Sequence, residues 1–388
     1  MELTSRQFLV QFGHVTQQYL FPVLEESLGP LSPQLKLLTS VAALVPLDRL
    51  LSARRAPTGR PAKDRSALVL AFIAKAVLNL ATTRDLIDRL RVDQSLRQLC
   101  GWQSHRALPH ESKFSRAFAE FATTQLPQQL HQAVVETTQR QRLIGHIARD
   151  STAIPARERF PERPAPKKKP KGKPGRPKGS KIVRRSHKDK TVVPRTRIQH
   201  QRRQKFAEMM AGISTECGLG VKTNSQGNQH YWRGYKLHLD VADGQVPISA
   251  ILTSASVHDS QVAIPLMTMT AERVTHLYEL MDSAYDAEAI HEHIRQSGRV
   301  AVIAPNGRRG TKKPSPLTKV FPVIPTPQLC WAKKDRLKER TMIERVNARL
   351  KDEFGASQIR VRGAGKVMAH LMFGVLALTV DQWQRLSG

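Results

Sequence analysis

Cysteine is scarce. Cys100, Cys217 and Cys330 stand far apart among 388 residues, with no Cys-x-x-Cys or Cys/His spacing. That excludes a disulfide framework and a structural zinc site, and it fits a reducing compartment. Long apolar runs are also missing: the longest, "VMAHLMFGVLALTV" at 367–380, is interrupted by His370 and falls short of the roughly 20 residues that span a bilayer. It reads as a buried C-terminal helix. The N-terminus lacks the basic segment, apolar core and small-residue cleavage site of a secretory signal, so the expectation is a cytoplasmic chain with no membrane partner. Acids are few, 32 Asp+Glu against 62 Lys+Arg, which leaves a net charge of +30. Such an excess points to a polyanion. Charge alone does not separate nucleic acid from an acidic membrane surface or an acidic protein.

The length is enough for about two or three domains. Residues 1–140 read as a helical N-terminal domain, with apolar positions at three-and-four spacing in "SALVLAFIAKAVLNLATTRDLIDRLRVDQSLRQL" and in "ESKFSRAFAEFATTQLPQQLHQAVVE". Pro109 marks a helix start, and "TGRPAKD" at 58–64 is a turn candidate. Composition then changes abruptly: residues 157–205 hold 20 Lys/Arg, three acids and seven prolines. A segment so poor in large apolar residues cannot offset its ordering entropy, and it is predicted to be disordered or loosely ordered until something binds.

Beyond it the pattern becomes strand-like. "YWRGYKLHLDVAD" alternates, placing Tyr235, Leu237, Leu239 and Val241 on one face and Lys236, His238 and Asp240 on the other. A short Asp-Gly turn leads into "QVPISAILTSAS", which predicts a hairpin. Next come a helix from Ser260, a strand ending at Asp282, a helix from Ala287, the strand "RVAVIAP", a basic Pro-rich loop at 307–328 and a helix over 334–354. The class is mixed α/β, with residues 141–388 as one domain carrying the 157–205 insertion.

Three acids draw notice. In "LIGHIARDSTAIPARE" an apolar run ends on Asp150, and in "YELMDSAYD" another ends on Asp282. Either is open to an ordinary reading as a cap of the following turn. In "KERTMIERVNARLKDEFG" helical spacing sets Arg340, Glu344, Asn347 and Lys351 along one polar stripe, beside an apolar stripe of Ile343, Val346, Leu350 and Phe354. A solvated Arg340–Glu344 ion pair accounts for that spacing as well as a functional role does. Asp259 is most simply an N-cap, and Tyr285 fits either packing or a site.

The ordered set "ARDSTAI", "GYKLH", "VHDS", "MDSAYD" and "ER…IE…N…LK" resembles the catalytic domain of bacterial insertion-sequence transposases of the DDE class, in particular those with a Tyr-Arg-Glu-Lys signature. The resemblance covers roughly 145–383; "GRPAKDRSALVL" and "TTRDLIDRL" resemble, more weakly, the helical DNA-binding region that precedes it. It implies an RNase H-like mixed-sheet fold in which Asp150, Asp282 and Glu344 are the catalytic metal ligands. They would hold two Mg²⁺ ions, with Mn²⁺ able to substitute. Arg340 and Lys351 match the signature's phosphate-contacting Arg and Lys, whereas its Tyr falls at Leu337. The implied activity is cut-and-paste DNA transposition, in which water releases a 3′-hydroxyl at the transposon end and that hydroxyl then attacks target DNA. The implied partners are double-stranded DNA, as transposon ends and target, and a second copy of the chain when ends are bound; the implied location is the bacterial nucleoid.

"KKKPKGKPGRPKGSKIVRR" holds the Gly-Arg-Pro core of an AT-hook, Gly175, Arg176 and Pro177, followed by Lys178. Narrow A·T minor grooves attract such arginines, although a Lys/Pro-rich linker also grips phosphates without reading sequence. Lys236 and His238 are candidate DNA contacts bordering the site; a surface histidine with ordinary partners is the alternative. Two other functions fit the same residues: a DNA-binding protein derived from a transposase with its carboxylates unused, and a metal-dependent nuclease without strand transfer.

Overall fold

The computed structural model describes residues 5–52, 64–160, 196–223, 226–306 and 330–386. Gly175, Arg176, Pro177 and Lys178, residues 161–195 of the 157–205 insertion and the basic loop over 307–328 lie outside the described residues, as does most of the 58–64 turn candidate; the end of the insertion, expected to be disordered or loosely ordered, is instead helical over Arg197–Gln201 and capped by Thr196. The N-terminal part is helical, as its periodicity predicts: α1 (Ser5–Val15), α2 (Phe21–Leu28), α3 (Pro33–Leu44), α4 (Leu47–Ser52), α5 (Arg65–Val77), α6 (Thr83–Val92), α7 (Gln94–Leu99), α8 (Glu111–Thr123) and α9 (Leu126–Gln139). Side-chain caps define several starts, among them Thr82 before α6 and His110 before α8.

The remaining elements are β1 (Leu143–Pro155), α10 (Arg197–Gln201), α11 (Phe206–Ala211), β2 (Gly218–Thr223), β3 (Gln229–Ala242), β4 (Val246–Ser254), α12 (Ser260–Arg273), β5 (Thr275–Met281), α13 (Glu288–Gln296), β6 (Val300–Ile303), α14 (Trp331–Lys338), α15 (Met342–Asp352) and α16 (Ala364–Arg385). The sheet runs β4-β3-β1-β5-β6, with β2 pairing the first half of β3. Strands β4, β3 and β1 are antiparallel neighbours, while β1, β5 and β6 are parallel. This is an RNase H-like mixed sheet preceded by helices. The predicted β3–β4 hairpin is present, closed by Gly244 and Gln245 at positive φ.

Three further expectations need correction. Strand β1 does not end on Asp150 but continues to Pro155, because β3 keeps pairing with it after β5 has stopped. Strand β2 was not foreseen, since its Gly-rich six residues are mostly exposed on both faces and carry little alternation. The helix expected over 334–354 is interrupted by a 3₁₀ turn at Glu339–Thr341, between α14 and α15.

Alternation divides the sheet's two faces. Ala148, Leu237, Leu239, Val241 and Leu280 pack toward α15 and α16, in one hydrophobic cluster that also takes in α3, α5, α8 and α9. Helix α16, long and apolar enough to cross a membrane by composition, is the centre of this core, so the N-terminal helices and the sheet share it. Gly374 on α16 allows the close approach: a Cβ there would meet the Phe354 carbonyl at 2.6 Å. On the other face Met281, Ile303 and Tyr285 pack with α12 and α13. That face also buries charge. Arg149 Nη2 lies 2.6 Å from Asp240 Oδ2 and its Nη1 lies 3.0 Å from Glu279 Oε2, all three at most 1% exposed.

Candidate active site

Strand register brings two of the three acids together. Ala148 on β1 pairs with Leu280 on the parallel strand β5. Two residues further along each strand, on the same face, stand Asp150 and Asp282, and adjacent strands lie only about 4.8 Å apart. Each carboxylate is partly anchored: Asp150 Oδ1 accepts from its neighbour's amide, Ser151 N, at 2.8 Å, and Asp282 Oδ1 accepts from Ala284 N at 3.0 Å. Asp282 therefore does cap a turn, with one oxygen.

Glu344 reaches the pair through Arg340. The 3₁₀ turn holds Arg340 so that Nη2 lies 2.9 Å from Glu344 Oε1 while Nη1 lies 3.9 Å from Asp150 Oδ2. A single guanidinium thus links Asp150 to Glu344. The glutamate side chain is 57% exposed and free to change partner at little cost. Two further cations, Lys222 on β2 and Lys351 on α15, stand near enough to influence the carboxylates or each other.

The electrostatics favour an incoming cation. Burial, reinforced by the charge of Asp282, pushes the Asp150 carboxyl up to about 6 despite the Ser151 amide and Arg340. Burial likewise raises Asp282, with Asp259 adding to the effect. Two half-buried carboxylates side by side destabilise each other's charge until a positive ion compensates both. Among the described residues no three acidic, histidine or cysteine side chains stand close enough to enclose a metal ion as they are. The donor set nevertheless fits a hard divalent ion, because every candidate ligand is a carboxylate oxygen.

Around this group several expectations change. His238 is fully buried, its Nε2 2.9 Å from Thr253 Oγ1, and burial pushes its imidazole down to about 4. Neutral and without exposed surface, it is not placed to contact DNA. Lys236 is also committed: its ammonium donates to Asp259 Oδ1 at 2.9 Å and to the Val257 carbonyl at 3.0 Å. Asp259 does not cap α12, because its backbone is already helical and its side chain turns to Lys236. His258 takes that role, accepting from Ser260 N at 3.3 Å. The Tyr285 hydroxyl, buried and without a hydrogen-bond partner among the described residues, feels the charges of Asp259, Asp150 and Asp282. Lys222 was the residue missed, and the weak alternation of "LGVKT" was its only signal.

Residues 142–380, more than half of the chain, match a family model described as "Transposase DDE domain", and residues 26–120 match "Transposase domain (DUF772)". The chain is a member of the DDE transposase family. No curated protein and no solved structure gives a significant match. In this transposase the DDE match spans all of the elements that carry Asp150, Asp282, Arg340 and Glu344, and the second match covers α3 to most of α8. The transposase thus carries its acids within β1, just after β5 and on one facing helix.

Proposed function

We propose that this transposase binds the ends of its insertion sequence as duplex DNA and catalyses Mg²⁺-dependent strand cleavage followed by strand transfer into target DNA. Asp150, Asp282 and Glu344 are the residues that would hold the metal, with Mn²⁺ able to replace Mg²⁺. A bound ion pair supplies activation of the attacking oxygen and stabilisation of the leaving one in an in-line displacement at phosphorus. Asp150 and Asp282 act as the rigid half of the site, because the first sits on a sheet strand and the second directly follows one. Glu344 acts as the mobile third donor, coming from a helix and turning away from Arg340. Once released, Arg340 is free to grip a backbone phosphate bidentately, with Lys351 and Lys222 adding charge beside it. The helical N-terminal region and the basic 157–205 segment supply the rest of the DNA affinity, and two copies of the chain would hold two ends.

The observation that carries this reading is the Asp150–Asp282 pair on one face of the sheet, where β5 ends beside the middle of β1, tied to Glu344 through one guanidinium. The test is cleavage of DNA bearing the element's ends. Asp150→Asn, Asp282→Asn and Glu344→Gln should each abolish Mg²⁺-dependent cutting while leaving end binding nearly unchanged. Full cleavage by any of the three would refute the assignment. A wild-type chain that binds ends and never cuts them would leave the DNA-binding reading instead.

A further inference from the structure

A second charged site lies away from the carboxylates, where the N-terminal helices meet α16. Here Phe72, Phe118 and Phe373 form part of the wall of a recess of about 480 Å³. Lys75, near the end of α5, lines it and is only 8% exposed. Its ammonium has neither a hydrogen bond nor an ion pair among the described residues. Burial pushes it down to about 8, with Asp85 the one charge acting the other way. The nearby His370 adds no second positive charge: its Nε2 lies 3.0 Å from the Gly355 carbonyl oxygen, and burial holds it down at about 4.

Helix α6 begins at the same recess. Thr82 and Asp85 cap each other reciprocally, Asp85 N donating to Thr82 Oγ1 at 3.0 Å and Thr82 N to Asp85 Oδ2 at 2.9 Å. The first intrahelical bond runs from Leu86 N to Thr82 O. The amides of Thr83 and Arg84 are left without a partner among the described residues, at the positive end of the helix dipole. Arg360, on the segment leading to α16, adds an exposed guanidinium with no partner among the described residues. The acids in the lining are engaged already, Asp85 by the cap and Glu111 by an exposed, long contact of 3.4 Å from Arg84.

A buried ammonium whose one nearby acid, Asp85, is held by a helix cap is costly, and Thr83, Arg84 and Arg360 line the same recess, a space large enough for an anion. We propose that this recess is an oxyanion site for a phosphate group, bound by Lys75, the Thr83 and Arg84 amides and Arg360. The phosphate comes either from the backbone of bound DNA or from free phosphate; in both cases it would tie α5 and α6 to the segment before α16. The site is separate from the carboxylate centre, so Asp150→Asn leaves it intact.

The test uses the full chain at constant ionic strength. Inorganic phosphate in place of chloride should raise the Tm of the wild type and of Asp150→Asn. In Lys75→Met, and in the exposed rim variant Arg360→Gln, the phosphate concentration needed should rise about tenfold. Competitive acylation of Lys75, read by mass spectrometry, distinguishes the sources. Protection by duplex DNA in phosphate-free buffer assigns the site to the DNA backbone, whereas protection by phosphate alone assigns it to the free anion. If neither protects Lys75, or if Lys75→Met and Arg360→Gln respond to phosphate as the wild type does, the site does not exist.

Discussion

Replacing Arg149 by methionine removes the cation at the centre of the charge cluster behind Asp150. Arg149 is 1% exposed, and Asp240 and Glu279 are fully buried. Breaking a buried pair from one side costs about 3–5 kcal/mol. Glu279 keeps Arg299 at 2.7 Å and His276 at 2.9 Å, but Asp240 keeps only the Thr270 hydroxyl, at 2.6 Å. With one carboxylate stranded rather than two, the lower end applies, about 3 kcal/mol. That is a large share of the 5–15 kcal/mol that holds a typical domain together. The pH dependence follows from Asp240, whose carboxyl is already raised by burial and by Glu279. Losing Arg149 raises it further. A raised acid destabilises the fold where it is ionised, so the deficit is full above its folded value and shrinks as pH falls through it. Urea unfolding at pH 7.5 and pH 5.5 should therefore show the variant closer to wild type at the lower pH, and Arg149→Met with Asp240→Asn should regain about 1 kcal/mol or more. A loss below about 1 kcal/mol at pH 7.5, or a gap that widens on acidification, would refute the reasoning.

Gly374→Val should lower stability by about 1–3 kcal/mol, because its Cβ would press on the Phe354 carbonyl at 2.6 Å; thermal unfolding reads it, and an unchanged Tm would mean that α16 shifts freely. Lys222→Gln should leave stability alone, since the side chain is exposed, while reducing the slope of DNA affinity against salt by about one; an unaltered slope would place Lys222 off the DNA path. Deleting 160–200, which is rich in Lys and Arg, should weaken DNA binding and flatten its salt dependence, and equal slopes with and without the segment would rule that out.

Much of the fold was legible in the chain itself. The alternation of 235–241 foretold β3, the Asp243-Gly244 turn foretold its hairpin with β4, and the apolar run at 367–380 foretold the buried α16. Strand β2 and the break at Glu339–Thr341 were not legible, because the first is exposed on both faces and the second does not disturb the apolar period around it. The same limit applied to side-chain direction. His238 shared a face with Lys236 and Asp240 as its spacing required, yet whether that face met solvent depended on α12, which covers it.

Local spacing and charge thus determined by themselves the order of most elements, the polyanion-seeking character of the chain and which acids were worth following. Only the tertiary structure decided that Asp150 and Asp282, 132 positions apart, lie on one face where β5 stops beside β1, that Arg340 stands between Asp150 and Glu344, and that Lys75 is buried without an ion pair among the described residues. Hydrogen-bonded register and burial are set by contacts distant along the chain, and periodicity, being a local property, carries no record of them.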